Sequence, residues 1–159
     1  MSGHGSPTAN INVDATGLNV VIVAGQWHEV ISEGMIAGAQ RVLNATGATH
    51  SLVRVAGSFE LPVVSKAVLE NGADAVVALG VIIRGGTPHF EFVSDAATQG
   101  LLRVALDTGK PVGFGVLTLD DEKQGLDRAG LPGSKEDKGE EAATAAIQAA
   151  LTIRDLKKA

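Results

Sequence analysis

The chain has 159 residues, of which 45% are hydrophobic and 19% are charged, so the composition predicts one globular domain and excludes a disordered protein. Its formal net charge is −5 and it has no long basic block, which argues against a nucleic-acid partner. It contains no cysteine, no apolar run long enough to span a membrane and no metal-ligand motif, so we expect no disulfide, membrane partner or bound metal.

The first ten residues, MSGHGSPTAN, differ in character from the remainder of the chain. They lack the basic-then-apolar pattern of a signal peptide, so we expect a flexible tail over residues 1–10 and a single domain over residues 11–159. A chain without cysteine also suits a reducing compartment, and we therefore expect a cytoplasmic protein.

Strand and helix signals alternate along the chain. Short β-branched runs predict four strands, at residues 18–24, 51–56, 75–83 and 112–117. Helical spacing, Pro and Gly signals predict helices at residues 27–46, 62–70, 87–105, 120–129 and from Ser134, as the cap, to the C-terminus. Strands separated by helices indicate a parallel sheet, so we expect an α/β three-layer sandwich of flavodoxin-like type with four parallel strands. Residues 10–13 could add a short edge strand.

Aromatic and polar side chains follow the predicted strands at the points where the strands end. Ligands of open parallel sheets bind at these carboxyl ends. Trp27 and Phe59 stand just past strands and Phe114 lies in the last strand, which suits stacking on a planar heterocycle. Glu60 could accept hydrogen bonds from ligand hydroxyl or ring N–H groups, although an acid at a helix start is favoured in any case.

The segment GGTPH, residues 85–89, has the features of an anion site. Gly85 and Gly86 allow the backbone to approach a ligand closely, Thr87 can cap the following helix, and Pro88 has no N–H to leave unpaired. The free N–H groups of that helix would bind a phosphate, although an ordinary tight turn would explain the same residues. His89 then lies in the first turn, where the helix dipole disfavours imidazolium and keeps a neutral base available.

Two cations further along the chain have two interpretations each. Lys138 lies in the first turn of the last helix, where it could pair with neighbouring acids or serve as a second cation for a phosphate. Arg128 ends the preceding helix, where the dipole alone explains a cation, yet arginine is also the residue best matched to bidentate phosphate binding.

These stretches together resemble the lumazine synthase family. The resemblance rests on GSFELP (57–62), ALGVIIRGGTPHFEFVSDAATQGL (78–101), PVGFGVLT (111–118) and QGLDRAG with EDKGEEAA (124–130 and 136–143). It implies condensation of 5-amino-6-(D-ribitylamino)uracil with 3,4-dihydroxy-2-butanone 4-phosphate to 6,7-dimethyl-8-ribityllumazine, with no cofactor and no metal. It also implies a homopentamer with active sites shared between adjacent subunits.

The resemblance assigns a role to each candidate residue. Trp27 would stack on the pyrimidine, Ser58, Phe59 and Glu60 would hold the ribityl chain and ring edge, and Val81, Ile82 and Ile83 would hold the pyrimidine through their backbone. Gly86 and Thr87 would bind the phosphate, and His89 would move protons. Phe114 and Arg128 would come from the neighbouring subunit, with Lys138 close to the phosphate. The resemblance assigns no site role to Arg84, for which we expect a structural or subunit contact.

Two other functions remain open at this point. An archaeal-type riboflavin synthase would share the fold but would not need the phosphate-binding segment. A non-catalytic flavin-binding or shell-forming protein would bind a ring without needing His89 and Arg128 together. The turn at residues 130–134 looks longer than in shell-forming relatives and contains Pro132, so we expect an isolated pentamer rather than a shell.

Overall fold

One parallel sheet of four strands forms the centre of the protein, whose computed structural model describes residues 12–159. The strands are β1 (Asn19–Gly25), β2 (Thr49–Val55), β3 (Ala75–Ile83) and β4 (Val112–Leu119). Their order in the sheet is β2-β1-β3-β4, and every pair is parallel, as the alternation of strand and helix signals predicts. The predicted four-stranded α/β fold is therefore confirmed.

Within residues 12–159, five α-helices cover the two faces of this sheet. They are α1 (Glu29–Thr46), α2 (Leu61–Glu70), α3 (His89–Thr108), α4 (Glu122–Leu126) and α5 (Lys138–Leu156), with a 3₁₀ helix at Ser58–Glu60 before α2. Helices α1 and α5 pack on one face around Ile22, Met35 and Ile147, whereas α2 and α3 pack on the other around Val23 and Leu101. Neighbouring residues of β1 therefore point into different cores, as the two-residue period of a strand requires.

The packing of α1 against α5 depends on a glycine. A Cβ added at Gly139 would lie 1.9 Å from the carbonyl oxygen of Met35, so only a residue without a side chain allows this approach. Asp137 precedes α5 and accepts a hydrogen bond from the Glu140 N–H at 2.9 Å, and it also pairs with Arg41 of α1 at 2.5 Å. These contacts set the position at which α5 begins.

The segment between α4 and α5 differs from the prediction. The cap of the last helix is Asp137 and not Ser134, and α4 is shorter than the predicted 120–129. The reason is that this segment bonds to itself: the N–H groups of Lys135 and Glu136 donate to the Asp127 carbonyl at 2.8 and 3.0 Å. Ser134 belongs to the turn, where its hydroxyl oxygen accepts from the Leu131 N–H at 3.0 Å.

The N-terminal predictions are tested only in part. The expected tail at residues 1–10 lies outside the described residues, and so do Asn10 and Ile11 of the possible edge strand. Its other two residues, Asn12 and Val13, are not in a strand. Over residues 12–159, none of the helices combines the length and the apolar character that crossing a bilayer would require.

Candidate active site

A cavity of about 510 Å³ opens at the carboxyl edge of the sheet, where β1, β2 and β3 end. Its lining comes from the last residues of β3, from the segments that follow the three strands and from the first turns of α3, and it includes most of the predicted site. The lining residues are Trp27, His28, Ala56, Gly57, Ser58, Phe59, Glu60, Val81, Ile82, Ile83, Gly85, Thr87, His89, Phe90 and Val93.

An aromatic side chain forms one wall of this cavity. Trp27 lies between β1 and α1 and is mostly exposed, and its indole passes close to Gly57: a Cβ there would lie 3.4 Å from Trp27 Nε1. His28 follows with φ 56° and ψ 65°, the one non-glycine residue among residues 12–159 with positive φ. Such a conformation turns the chain sharply out of β1 into α1. The wall therefore presents the indole to the cavity.

The 3₁₀ helix at Ser58–Glu60 forms the floor beside it. One carboxylate oxygen of Glu60 accepts a hydrogen bond from the Gly57 N–H at 2.9 Å, which holds this side chain at the cavity. The Ser58 side chain packs against Gly80 of β3, where an added Cβ would lie 2.5 Å from Ser58 Oγ. Gly80 thus allows the 3₁₀ helix to lie directly on the central strand. The carboxylate of Glu60 can still accept further hydrogen bonds.

The end of β3 brings the remaining predicted residues to the same place. Val81 and Ile82 are buried and Ile83 is half-buried, and all three line the cavity. The chain then passes through the exposed Gly85–Gly86 pair, where an added Cβ would meet nothing within 4 Å. This open turn leads into α3.

The start of α3 differs from the prediction in one respect. The residue before the helix is Pro88, and no side chain caps this end, so the predicted cap by Thr87 is wrong. The chain has already turned at residues 86–88, which places Thr87 outside the capping position. Thr87 nevertheless lines the cavity together with His89, the first residue of α3. An uncapped helix start beside a cavity leaves backbone N–H groups that can bind an anion.

Some lining residues were not identified from the sequence. These are Phe90 and Val93, which follow His89 in α3. Of the two glycines expected to approach a ligand, Gly85 lines the cavity and Gly86 does not. Val93 is four residues after His89, so the helical repeat would have found it. Phe90 could be recognised only once its contact with the neighbouring loop was known.

Three predicted site residues lie away from the cavity of their own chain. Phe114 is on β4 and 49% exposed, and it lines a separate apolar depression of about 260 Å³ with Leu101, Leu102 and Val112. This depression is on the edge of the sheet formed by β4. Phe114 therefore presents an aromatic ring to whatever covers that edge.

The two predicted phosphate cations lie close to each other, with Arg128 in the loop after α4 and Lys138 as the first residue of α5. Arg128 donates to the Gln124 carbonyl at 2.9 Å, and its Nε is 3.8 Å from Glu136 Oε2. Lys138 pairs with Glu136 at 3.1 Å and with Glu141 at 2.8 Å. Burial lowers the pKa of Lys138, but the hydrogen bonds to Glu141 and Glu136 together raise it above its ordinary value. The Lys138 side chain therefore remains cationic.

Over residues 12–159, His, Asp and Glu do not come together in a group of three or more that could hold a metal ion. The lining of the cavity offers an aromatic wall, carboxylate and backbone groups, an uncapped helix start and two histidines, His28 and His89.

Fold and cavity together define a flavodoxin-like α/β protein with a small-molecule site at the carboxyl ends of its strands. Comparison with known proteins narrows this class. A family model described as 6,7-dimethyl-8-ribityllumazine synthase matches residues 17–154. The chain therefore belongs to the 6,7-dimethyl-8-ribityllumazine synthase family.

Relatives that carry this name match over nearly their whole length. One from Leifsonia xyli subsp. xyli is 73% identical over 157 residues, which cover 99% of each chain. One from Clavibacter sepedonicus is 67% identical over 160 residues, covering 100% of each, and one from Streptomyces avermitilis is 54% identical over 159 residues, covering 99% and 98%.

Proposed function

We propose that this protein condenses 5-amino-6-(D-ribitylamino)uracil with 3,4-dihydroxy-2-butanone 4-phosphate, giving 6,7-dimethyl-8-ribityllumazine, inorganic phosphate and water. The observation that carries the proposal is the cavity at the carboxyl edge of the sheet. It combines a wall suited to a flat ring with an uncapped helix start suited to a phosphate. Family membership makes this transferase reaction the leading reading, ahead of riboflavin synthesis or flavin binding alone.

The pyrimidine belongs to the end of the cavity nearest β1 and β2. Trp27 offers a ring for stacking, and the backbone of Val81, Ile82 and Ile83 offers N–H and carbonyl groups to the ring edge. Ser58, Phe59 and Glu60 hold the ribityl chain, for which a carboxylate already fixed by the Gly57 N–H is a suitable acceptor. The cavity volume is within the usual range for small-molecule sites.

The phosphate belongs to the turn before α3. Gly86 and Thr87 contribute backbone N–H groups there, and the helix dipole favours the negative charge. His89 is the first residue of the same helix, so it lies beside the carbon atoms that react when phosphate leaves. It takes a proton from the attacking amine and returns one during the elimination.

Most of the rate comes from holding two reactive molecules in contact. The attacking amine is already nucleophilic, and effective molarities of well-oriented pairs reach about 10⁵ M or more. His89 therefore adds a modest factor to a reaction that the cavity accelerates mainly by orientation. No cofactor or metal enters this scheme.

A neighbouring subunit completes the site in this proposal. Phe114 and Arg128 do not line the cavity of their own chain, and Phe114 lies on the exposed β4 edge beside an apolar depression. A second copy on that edge would cover the apolar surface and bring Phe114 and Arg128 to the cavity of its neighbour, with Lys138 close by. Each subunit would then donate and receive, which requires a closed ring, and we propose a cytoplasmic homopentamer.

The test is a direct assay of the purified protein with both substrates. Formation of the lumazine is followed by its absorbance and the release of inorganic phosphate in parallel, and the two should appear in equal amounts. Product formed from the lumazine alone would instead indicate a riboflavin synthase. Binding of flavin or lumazine without turnover would indicate a non-catalytic protein.

A further inference from the structure

Arg84 directly follows β3 and stands at the start of the open turn that leads to His89. Its backbone N–H donates to the Leu119 carbonyl at 2.8 Å, which continues the ladder between β3 and β4 by one residue. The main chain of Arg84 is therefore fixed to the sheet, whereas the next two residues are glycines at which an added Cβ would meet no atom within 4 Å. At the end nearest β3, the turn is therefore anchored by the backbone of Arg84.

The guanidinium of Arg84 connects this anchor to the far end of the turn. It donates from Nη1 to Glu91 Oε1, in the first turn of α3, and from Nε to Asp120 Oδ1 at 3.0 Å, just after β4. Its Cζ also lies 4.1 Å from the centroid of the Phe90 ring, a distance typical of a cation–π contact. Three contacts therefore hold one planar group, and two of them reach the residues immediately after His89.

Stability of the fold is a poor explanation for this arrangement. The side chains of Arg84, Glu91 and Asp120 are 45%, 55% and 69% exposed, and ion pairs between exposed groups contribute little to folding. Phe90, by contrast, lines the cavity, and Glu91 and Phe90 adjoin His89 on the same helical turn. Hydrogen bonding to Arg84 lowers the pKa of Glu91, so the contact persists at neutral pH.

We propose that Arg84 is a positioning residue, which closes the turn at residues 85–88 onto the first turn of α3 and so fixes His89 and the phosphate-binding N–H groups. Arg84 itself does not line the cavity and acts through Phe90 and Glu91. The guanidinium also offsets part of the negative charge of Glu91 and Asp120, two carboxylates that would otherwise repel a phosphate at this helix start more strongly. The inference rests on the proposed function for the identity of the two substrates.

The test compares Arg84→Met with Arg84→Lys, which keeps the charge but loses the planar group. Arg103→Met is the matched control, since Arg103 makes an exposed ion pair with Asp107 in the later turns of α3. For each variant, kcat and KM are measured separately for the two substrates, and hydrogen exchange is followed at the amides of residues 85–91. The whole protein is used throughout.

We expect Arg84→Met to lower kcat/KM for the butanone phosphate roughly ten- to hundredfold, as small misplacements of reacting groups do. KM for the pyrimidine should change by no more than about twofold, because its contacts are on other elements. Exchange should accelerate at residues 85–91. Arg84→Lys should recover much of the KM for the phosphorylated substrate but little of kcat, and Arg103→Met should match the wild type.

Two results would overturn the inference. One is wild-type kinetics and exchange in Arg84→Met, and the other is an equal loss for both substrates accompanied by a lower melting temperature. If Arg84→Met fails to fold, Glu91→Gln removes the contact across the turn alone and should change the same parameters in the same direction. An inactive wild type would refute the proposed function, while the exchange measurement would still decide the role of Arg84.

Discussion

The shared active site can be tested by mixing two variants of low activity. His89→Ala removes the proton-transfer group from the receiving side, and Arg128→Ala removes the guanidinium from the donating side. We expect a loss of roughly one to two decades in kcat/KM for Arg128→Ala, from one charge-assisted hydrogen bond of about 1.5–3 kcal/mol. For His89→Ala we expect about a hundredfold, the low end for acid–base help.

The size of the recovery follows from the ring. After random assembly of equal amounts, a complete site needs an Arg128→Ala receiver beside a His89→Ala donor, which occurs at about one quarter of the interfaces in any closed ring. The mixture should therefore regain about a quarter of the wild-type kcat/KM for the butanone phosphate. We expect this recovery because Arg128 does not line the cavity of its own chain.

The assay uses subunits that are unfolded and refolded together, with mixing verified by native mass spectrometry. The control mixes wild type with the double variant: a shared site leaves about one quarter of the sites complete, and a site within one chain leaves about one half. No recovery in the first mixture, together with one half in the second, would show that each chain holds a whole site. The proposed sharing would then be wrong.

Three further outcomes follow from the site. His89→Ala alone should keep measurable turnover, because both substrates stay in contact; complete loss in a folded variant would contradict the emphasis on orientation. Gly80→Ala would place a Cβ 2.5 Å from Ser58 Oγ and should cost about 1–3 kcal/mol and raise KM for the pyrimidine, with partial recovery of stability when Ser58→Ala is added; an unchanged melting curve would refute this. Analytical ultracentrifugation should give roughly 80 kDa, five chains of 16.2 kDa, and a megadalton particle would instead indicate a shell.

The strands and the location of the site could be predicted because they depend on local signals. The apolar run at Ala75–Ile83 is buried along its length, as a central parallel strand requires, and its predicted bounds are those observed. Parallel strands also bring their carboxyl ends to one edge, so Trp27, Ser58 and His89 meet although they are far apart in the sequence. The topology does this without any specific contact being known.

The ends of the helices depended on contacts that are not local. Ser134 has the residue type of a cap, but the segment before α5 bonds to the Asp127 carbonyl and leaves Asp137 at the capping position. Thr87 similarly precedes a proline at a helix start, yet the capping position lies one residue later, at Pro88. A residue type shows that a cap is available, whereas the backbone hydrogen bonds of the neighbouring segment decide which candidate is used.

For Arg128 and Lys138, the residue type alone could not decide which of the two binds a phosphate. Both were candidates for a phosphate, and both pair with acids within their own chain. Lys138 is only 16% exposed and makes two close ion pairs, whereas Arg128 is 38% exposed and approaches Glu136 no closer than 3.8 Å. Turning Arg128 towards a phosphate therefore costs one partly buried hydrogen bond to the Gln124 carbonyl and a weak ion contact, while turning Lys138 would leave two carboxylates without their cation. Arg128 is therefore better suited than Lys138 to reach the cavity of a neighbouring subunit. Lys138 instead offsets the charge of Glu136 and Glu141.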